Sequence, residues 1–254
     1  MNFIKRLLFR LLGAKRYLLL VSKVFFLLYR LKFLKGNKLF DCHYFVNKLI
    51  KKGDTVIDIG ANLGYYSVIF SKIVGSKGQV YCVEPVELFR QVLESNTSGF
   101  SNIEILPYAL GEIDGEKIKM GAPSQSTYFS HGRTHVLTQN DDCSMVFDAV
   151  IKRPDTLFAQ LSELHYIKCD IEGYEGIAIP LFETLIDKFK PIMQIEIAGD
   201  NIEFLFNFFQ KKDYHIFYLK GEQLIEIKQN GDESFGDFFF VHNSRIGAPN
   251  PYFK

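Results

Sequence analysis

An acid, two glycines and a second acid stand at a spacing that suits a positively charged ligand. A first apolar segment runs into the motif Asp58-x-Gly60-x-x-x-Gly64, and a second is followed by Glu84. Glycine has no Cβ, so the backbone at these positions can approach a ligand closely. A carboxylate at position 58 repels phosphate and suits a cation, whereas Glu84 suits the two hydroxyls of a ribose.

The ligand that these residues suit best is S-adenosylmethionine (SAM), whose amino group and sulfonium are cationic. A dinucleotide site instead begins with glycine and directs a helix N-terminus at a pyrophosphate. Because Asp58 stands in place of that first glycine, a nicotinamide-dependent oxidoreductase is disfavoured. The plainer alternative is a tight turn beside an exposed acid.

Positioning these residues requires alternating strands and helices. Residues 55–59 and 79–84 are apolar runs that predict buried parallel strands, and residues 65–74 have helical periodicity. The alternation continues to residue 241, which predicts an α/β, Rossmann-like fold. We expect a seven-stranded, mostly parallel sheet with one antiparallel edge strand. The long polar loop at 121–142 is typical of a binding loop or lid, the alternative being a disordered surface excursion.

The N-terminal segment differs from the rest of the chain in charge. The chain of 254 residues has a net charge of +1, yet its first 40 residues contain ten Lys or Arg and no acid. The mixture of bulky aliphatic and basic residues predicts an amphipathic helix. Its uncharged runs are shorter than the roughly 20 residues that span a bilayer. We expect it to lie on an anionic membrane surface or to pack on protein, and we disfavour nucleic acid.

Five motifs together resemble one known family. They are Asp58–Ser67, Val83–Pro85, Tyr108–Gly111, Ile167–Glu175 and Gln194–Glu196. Over residues 40–242 the chain resembles the FkbM family of SAM-dependent methyltransferases, with Cys169 and Ile171 as mild departures from the usual motif. The resemblance implies a class I SAM methyltransferase fold and SAM as the cofactor. It also implies O-methylation of a sugar, a glycan or a related natural product, without specifying the acceptor.

The spacing and the resemblance together assign the site residues. We expect Asp58 to hold the SAM amino group and Glu84 the ribose. The other predicted cofactor-binding residues are Gly60, Ala61, Asn62, Gly64, Tyr65, Tyr108 and Ala109. The predicted catalytic residues are Asp170, Glu172 and His131, with Glu196 and His135 as further candidates for a general base. Glu172 and Glu175 suit the binding of substrate hydroxyls or, alternatively, the capping of the next helix. Asp170 and Glu196 suit magnesium, but we predict no metal site.

The charge asymmetry divides the chain into a basic helical extension at 1–36 and a methyltransferase domain at 37–254. The four cysteines are widely spaced and form no Cys-x-x-Cys pair, which fits a reducing cytosol. We therefore expect a cytoplasmic protein, peripheral to the membrane if the extension binds lipid. The alternative function is a non-catalytic module of the same fold that tethers a partner or a membrane through residues 1–35.

Overall fold

The structure, a computed structural model, describes residues 2–123, 134–137, 143–227 and 235–246. Its α-helices are α1 (Asn2–Arg30), α2 (Asp41–Phe45), α3 (Tyr65–Val74), α4 (Glu87–Thr97), α5 (Pro154–Leu157), α6 (Glu175–Ala178), α7 (Glu183–Phe189) and α8 (Asn201–Gln210). Its strands are β1 (Thr55–Ile59), β2 (Gln79–Val83), β3 (Ile103–Leu106), β4 (Ala109–Leu110), β5 (Lys117–Pro123), β6 (His135–Val136), β7 (Cys143–Lys152), β8 (Tyr166–Cys169), β9 (Ile192–Ala198), β10 (Tyr214–Lys220), β11 (Gln223–Glu226) and β12 (Phe235–His242).

The large sheet has the strand order β11-β10-β12-β9-β8-β1-β2-β3 within the described ranges. The strands β3, β2, β1, β8 and β9 run parallel, and β1 is buried along its whole length. Parallel strands are covered on both faces by the helices that connect them, which explains the nearly continuous apolar run of β1. Their carboxyl ends meet at one edge, where a doubly wound sheet binds its ligand.

The structure differs from the prediction at the other end of this sheet. The sequence predicts seven strands, whereas the described part of the large sheet has eight. The antiparallel strand β12 lies inside the sheet between β9 and β10, and not at an edge. The edge belongs to β11, which forms a hairpin with β10. The sequence does not predict β11 because four residues of mixed polarity are too few to establish a period.

A smaller sheet, β4-β7-β5-β6, is built from the chain between β3 and β8. Its antiparallel strands β5 and β6 bring Met120 opposite Val136. Both residues lie close to the carboxyl ends of the large sheet, where they line the cavity described below. The predicted polar loop at 121–142 is described only at 121–123, at 134–137 and beyond 142.

Apolar side chains cover the two faces of the large sheet in separate layers. On β9, Met193 and Ile195 face one layer, which includes the phenylalanines of α8. Gln194 points to the opposite face and donates a hydrogen bond of 3.1 Å to Tyr66 Oη on α3. Because successive strand residues alternate between faces, a polar side chain on β9 meets α3 inside the second layer.

Helix α1 packs on α4 along one face and exposes the other. Tyr17 and Leu18 are buried, and Ser22 Oγ accepts a hydrogen bond of 2.8 Å from Asn96 Nδ2 on α4. Gly13 interrupts the helix with a φ of 71°. Among the helices in the described part of the chain, none combines the length and the apolar character that crossing a membrane requires.

Candidate active site

The turn after β1 requires glycine at position 60. The N–H groups of Gly60 and Ala61 both donate to the carbonyl of Val83, at 3.0 and 3.1 Å, which binds the turn to β2. Gly60 has a φ of +74°, and a Cβ at this position would lie 1.9 Å from the carbonyl oxygen of Asp170. A larger residue at position 60 would therefore separate β1 from the end of β8.

Glu84 is buried where β2 ends and is held by the backbone. One carboxylate oxygen accepts from the N–H of Asn62 and the other from the N–H of Val86, each at 2.8 Å. Burial raises the pKa of Glu84 to about 7, although these two N–H groups lower it. Each carboxylate oxygen has a second lone pair, so Glu84 can still accept a ligand hydroxyl.

Asp58 is also buried, but its side chain faces helix α3. Its carboxylate accepts a hydrogen bond of 2.6 Å from Ser67 Oγ on α3. Burial raises the pKa of Asp58 to about 6, while Lys168 and Ser67 lower it. Asp58 is not among the described residues that line the cavity below, so its predicted contact with a SAM amino group stays a prediction.

A cavity with two lobes lies at the carboxyl ends of β1, β2 and β8. The lobes have volumes of about 60 and 30 Å³ and share Gly60, Pro85, Met120 and Ile171. We call their union the strand-end cavity. Of the predicted site residues, it brings together Gly60, Asn62, Glu84, Tyr108, Ala109, Asp170 and Glu172. Met120 lines both lobes.

Besides Asp58, three further predicted cofactor-binding residues do not line this cavity. Ala61 is buried in the apolar layer beside α3. Gly64 begins α3 with a φ of 86°, so it serves the turn into the helix. The ring of Tyr65 packs against Phe25 of α1, with ring centroids 4.5 Å apart. The direct contribution of these residues to a ligand stays a prediction.

Thr134 was not predicted from the sequence, although it lies in the loop singled out as a lid. Its side chain is buried and lines the strand-end cavity, and its Oγ1 has no hydrogen-bond partner among the described residues. A buried hydroxyl without a partner is costly, so this atom suits a polar ligand. The predicted catalytic residue His131 belongs to the same loop but lies outside the described residues.

Asp170 and Glu172 follow β8 at the mouth of the strand-end cavity. Asp170 Oδ2 accepts a hydrogen bond of 3.1 Å from Lys168 Nζ. Glu172 is exposed and has a φ of 53°, an uncommon backbone conformation for a residue other than glycine. Glu175 accepts from the N–H groups of Ile171 and Gly173. These bonds organise the turn that precedes α6, a role that the sequence does not predict for Glu175.

Lys168 is a buried cation that the sequence analysis does not single out. Burial lowers its pKa, but the carboxylates of Asp170, Asp58 and Asp237 raise it above the ordinary value, so the side chain stays charged. Its Nζ also lies 4.8 Å from the ring centroid of Tyr66. A lysine within an apolar strand is a usable signal, because lysine is seldom fully buried unless paired.

The residues of the strand-end cavity fit SAM chemically. The buried carboxylate of Glu84 suits ribose hydroxyls, and the glycine turn lets the backbone approach the ligand. Thr134 Oγ1 supplies a further polar group that has no partner within the described part of the chain. Tyr108 and Ala109 line the less polar lobe, which suits a flat adenine ring.

Comparison with known proteins identifies the family. The model of the Methyltransferase FkbM domain matches residues 58–216. A crystal structure of an FkbM methyltransferase from Methylobacillus flagellatus superposes with a TM-score of 0.50 at 18% identity, covering 76% of this chain and 45% of that chain. At this identity the likeness concerns the fold.

Curated relatives match over shorter stretches. The protein-L-isoaspartate O-methyltransferase of Methanococcus aeolicus is 32% identical over 59 residues, which is 22% of this chain and 27% of the relative. That of Methanosarcina mazei is 31% identical over 81 residues, or 31% and 30% of the two chains. The chain thus spans less than a third of the length of these relatives.

The FkbM match covers more than half of the chain and includes the strand-end residues Asp58, Glu84 and Asp170. The predicted family, the Rossmann-like fold and SAM as the cofactor are confirmed. This protein belongs to the FkbM family of SAM-dependent methyltransferases.

Proposed function

We propose that this protein is a SAM-dependent O-methyltransferase whose acceptor is a hydroxyl of a sugar, a glycan or a related natural product. The observation that carries the proposal is the buried carboxylate of Glu84 beside the Gly60 turn. Two backbone N–H groups hold this carboxylate in place, so it can bind a ribose without reorganising. Family membership supports methyl transfer, and the acidic residues at the adjoining strand ends support a hydroxyl acceptor.

Separate parts of the strand-end cavity would hold separate parts of SAM. Glu84 would accept hydrogen bonds from the ribose hydroxyls, and Tyr108 and Ala109 would contact the adenine. The turn at Gly60 and Asn62 lies along the methionine part. When bound, SAM supplies an electrophilic methyl group on its sulfonium. Holding the reactants in line can contribute about 7–11 kcal/mol to catalysis, so positioning is the main task of these residues.

The chain also supplies groups for the acceptor. Asp170 and Glu172 lie at the mouth of the strand-end cavity, where a carboxylate can accept a hydrogen bond from the acceptor hydroxyl and orient it. Lys168 pairs with Asp170 and thereby fixes the direction of that carboxylate. A positioned base contributes about 100- to 10,000-fold to such a reaction.

We further propose that α1 lies on an anionic membrane surface and that residues 1–36 act as an extension of the domain at 37–254. Leu20, Val24, Leu27 and Leu31 recur at helical spacing, and each is between 41% and 52% exposed. Lys23 and Arg30 are exposed along the border of this apolar stripe. An apolar stripe bordered by cations is the pattern of an interfacial helix, which supports a location at the cytoplasmic membrane face.

Calorimetry with S-adenosylhomocysteine (SAH) tests the cofactor site. Glu84→Gln is expected to weaken SAH binding at least about tenfold, because hydrogen bonds to a charged group contribute about 1.5–3 kcal/mol each. Glu94→Gln is the control, since Glu94 is exposed on α4. If the wild-type protein does not bind SAH, the proposal is wrong. SAH binding without methyl transfer to any hydroxyl would favour the tethering module.

Flotation with vesicles tests the membrane proposal. The full-length protein is expected to float with phosphatidylglycerol vesicles and much less with phosphatidylcholine vesicles. The double variant Val24→Ser and Leu27→Ser is expected to stay in solution, whereas Phe204→Ser, at an exposed phenylalanine of α8, is the matched control. Equal flotation of both variants would show that the stripe on α1 does not bind lipid.

A further inference from the structure

We propose that a groove beside the strand-end cavity binds the acceptor as a polyhydroxyl headgroup, and that Glu196 takes the proton of the hydroxyl that becomes methylated. This inference rests on the proposed function and concerns the acceptor side of the same site. The groove, which we call the acceptor groove, has a volume of about 780 Å³. It is lined by Lys38, Asp41, Cys42, Glu196, Tyr218 and Asp237, among others.

Three carboxylates form a row at the end of the sheet where the parallel strands β8 and β9 have their carboxyl ends and the antiparallel strand β12 begins. Asp237 on β12 pairs with Glu196 on β9. Cys169 on β8 pairs with Ile195, so the next residue, Asp170, follows beside Glu196. Asp170 lines the strand-end cavity, whereas Glu196 and Asp237 line the acceptor groove. The row therefore joins the space for the methyl donor to the space for the acceptor.

Glu196 is the member of this row whose carboxylate remains available. Asp170 accepts a hydrogen bond of 3.1 Å from Lys168 Nζ, and Asp237 accepts one of 2.7 Å from Gln194 Nε2. No hydrogen bond joins the Glu196 carboxylate to any other residue in the described ranges. Its lone pairs are thus free to accept the hydroxyl of a bound acceptor.

The lining of the groove indicates the chemistry of the acceptor. Several carboxylates can each accept a hydrogen bond from a hydroxyl, and the half-buried ring of Tyr218 offers an apolar surface beside them. One buried cation, Lys168, faces Asp170, Asp58 and Asp237 together, so negative charge is left over at the row. The cations Lys38 and Lys220 line other parts of the groove. A sugar ring, which has several hydroxyls and an apolar face, fits this lining.

The charges around Glu196 suit a base near neutral pH. Burial, together with the charges of Asp170 and Asp237, raises the pKa of Glu196 to about 8, while Lys168 lowers it. A general base works best when its pKa lies close to the working pH. The titratable or charged groups that face Glu196 or share its groove are Asp170, Glu172, Asp237, Lys168, Lys38, Asp41, Cys42, Tyr218 and Lys220.

The proton transfer balances within this arrangement. The O–H bond of the acceptor breaks, and its proton passes to a carboxylate oxygen of Glu196. The electron pair released on the acceptor oxygen forms the bond to the methyl carbon, whose bond to sulfur breaks with its pair left on the sulfur. Glu196 then loses the proton to water through the open groove.

Methyl transfer from tritiated SAM to methyl and octyl glycosides of common hexoses tests the proposal. Glu196→Gln is expected to lower kcat on the labelled glycoside about 100- to 10,000-fold. The affinity for SAH should stay within about twofold of wild type, because Glu196 does not line the strand-end cavity. Glu196→Asp should restore part of kcat. Glu203→Gln, at an exposed acid of α8, is the matched control.

The pH profile separates a base from a merely structural residue. In the wild-type protein kcat should rise with pH, reach half of its plateau near pH 8 and level off above it, whereas the Glu196→Gln profile should be flat over this range. Equal kcat for wild type and Glu196→Gln would overturn the role of Glu196. A wild-type protein that binds SAH but labels none of the glycosides would overturn the acceptor class. Absence of SAH binding would instead overturn the proposed function itself.

Discussion

Replacing Thr134 by valine should raise the thermal stability of the unliganded protein and lower its affinity for SAH. Thr134 Oγ1 is buried in the strand-end cavity, and no residue that the structure describes forms a hydrogen bond with it. Leaving such a group unsatisfied costs about 1–3 kcal/mol. Valine has nearly the same shape as threonine and removes the hydroxyl, so that cost disappears from the unliganded protein.

The two effects are expected to have opposite signs. A gain of about 1 kcal/mol raises Tm by about 2–4 °C for a chain of this size. The bound ligand supplies the missing partner only in the wild-type protein, so the variant should bind SAH about 5- to 30-fold more weakly, equivalent to roughly 1–2 kcal/mol. A general loss of packing would instead lower Tm and affinity together.

Differential scanning calorimetry of the unliganded protein and titration with SAH measure the two effects. Thr156→Val is the control, because Thr156 is exposed on α5 and should change neither Tm nor affinity. Unchanged SAH affinity in Thr134→Val would show that this hydroxyl does not contact the ligand. A lower Tm would show that the hydroxyl already has a partner in the free protein.

Three further predictions concern the surroundings of the site. Gly60→Ala should lower Tm by several degrees, because the new Cβ would lie 1.9 Å from the carbonyl oxygen of Asp170. Gly99→Ala is the control, since a Cβ at that position meets no atom within 4 Å. Equal Tm values for the two variants would contradict the close approach of Gly60 to Asp170. The pKa of Asp58 is raised to about 6, so the folded protein binds this proton more strongly than the unfolded chain does. The stability that protonated Asp58 contributes is therefore lost as pH rises from about 4 to 6. Asp58→Asn should flatten the resulting fall in Tm over that range, and an unchanged slope would refute the raised pKa. Lys168→Met should lower the free energy of unfolding by about 3–5 kcal/mol, because it leaves buried carboxylates without their cation. Denaturant unfolding measures this loss, and Lys77→Met, at an exposed lysine, is the control. A loss below about 1 kcal/mol would contradict the pairing.

The local motifs are readable because they depend on neighbours in the chain. Strand β1 and helix α3 lie at 55–59 and 65–74, as the apolar run and the helical period predict. The acid after β2 and the glycine turn are separated by a fixed number of residues, and two adjacent parallel strands bring them together. The sequence also predicts α1, since amphipathic periodicity over so many residues is a strong signal.

The family and the strand-turn-helix unit of β1 and α3 could be identified from the sequence, which also predicts Gly60 and Glu84 as contacts of the methyl donor. Tertiary structure alone decided that β12 enters between β9 and β10 and so places Asp237 beside Glu196. It also decided that Thr134 lies over the strand-end cavity and that Lys168 sits among three carboxylates. The physical reason is that strand order and cavity walls depend on packing between segments distant in the chain, which no local period records.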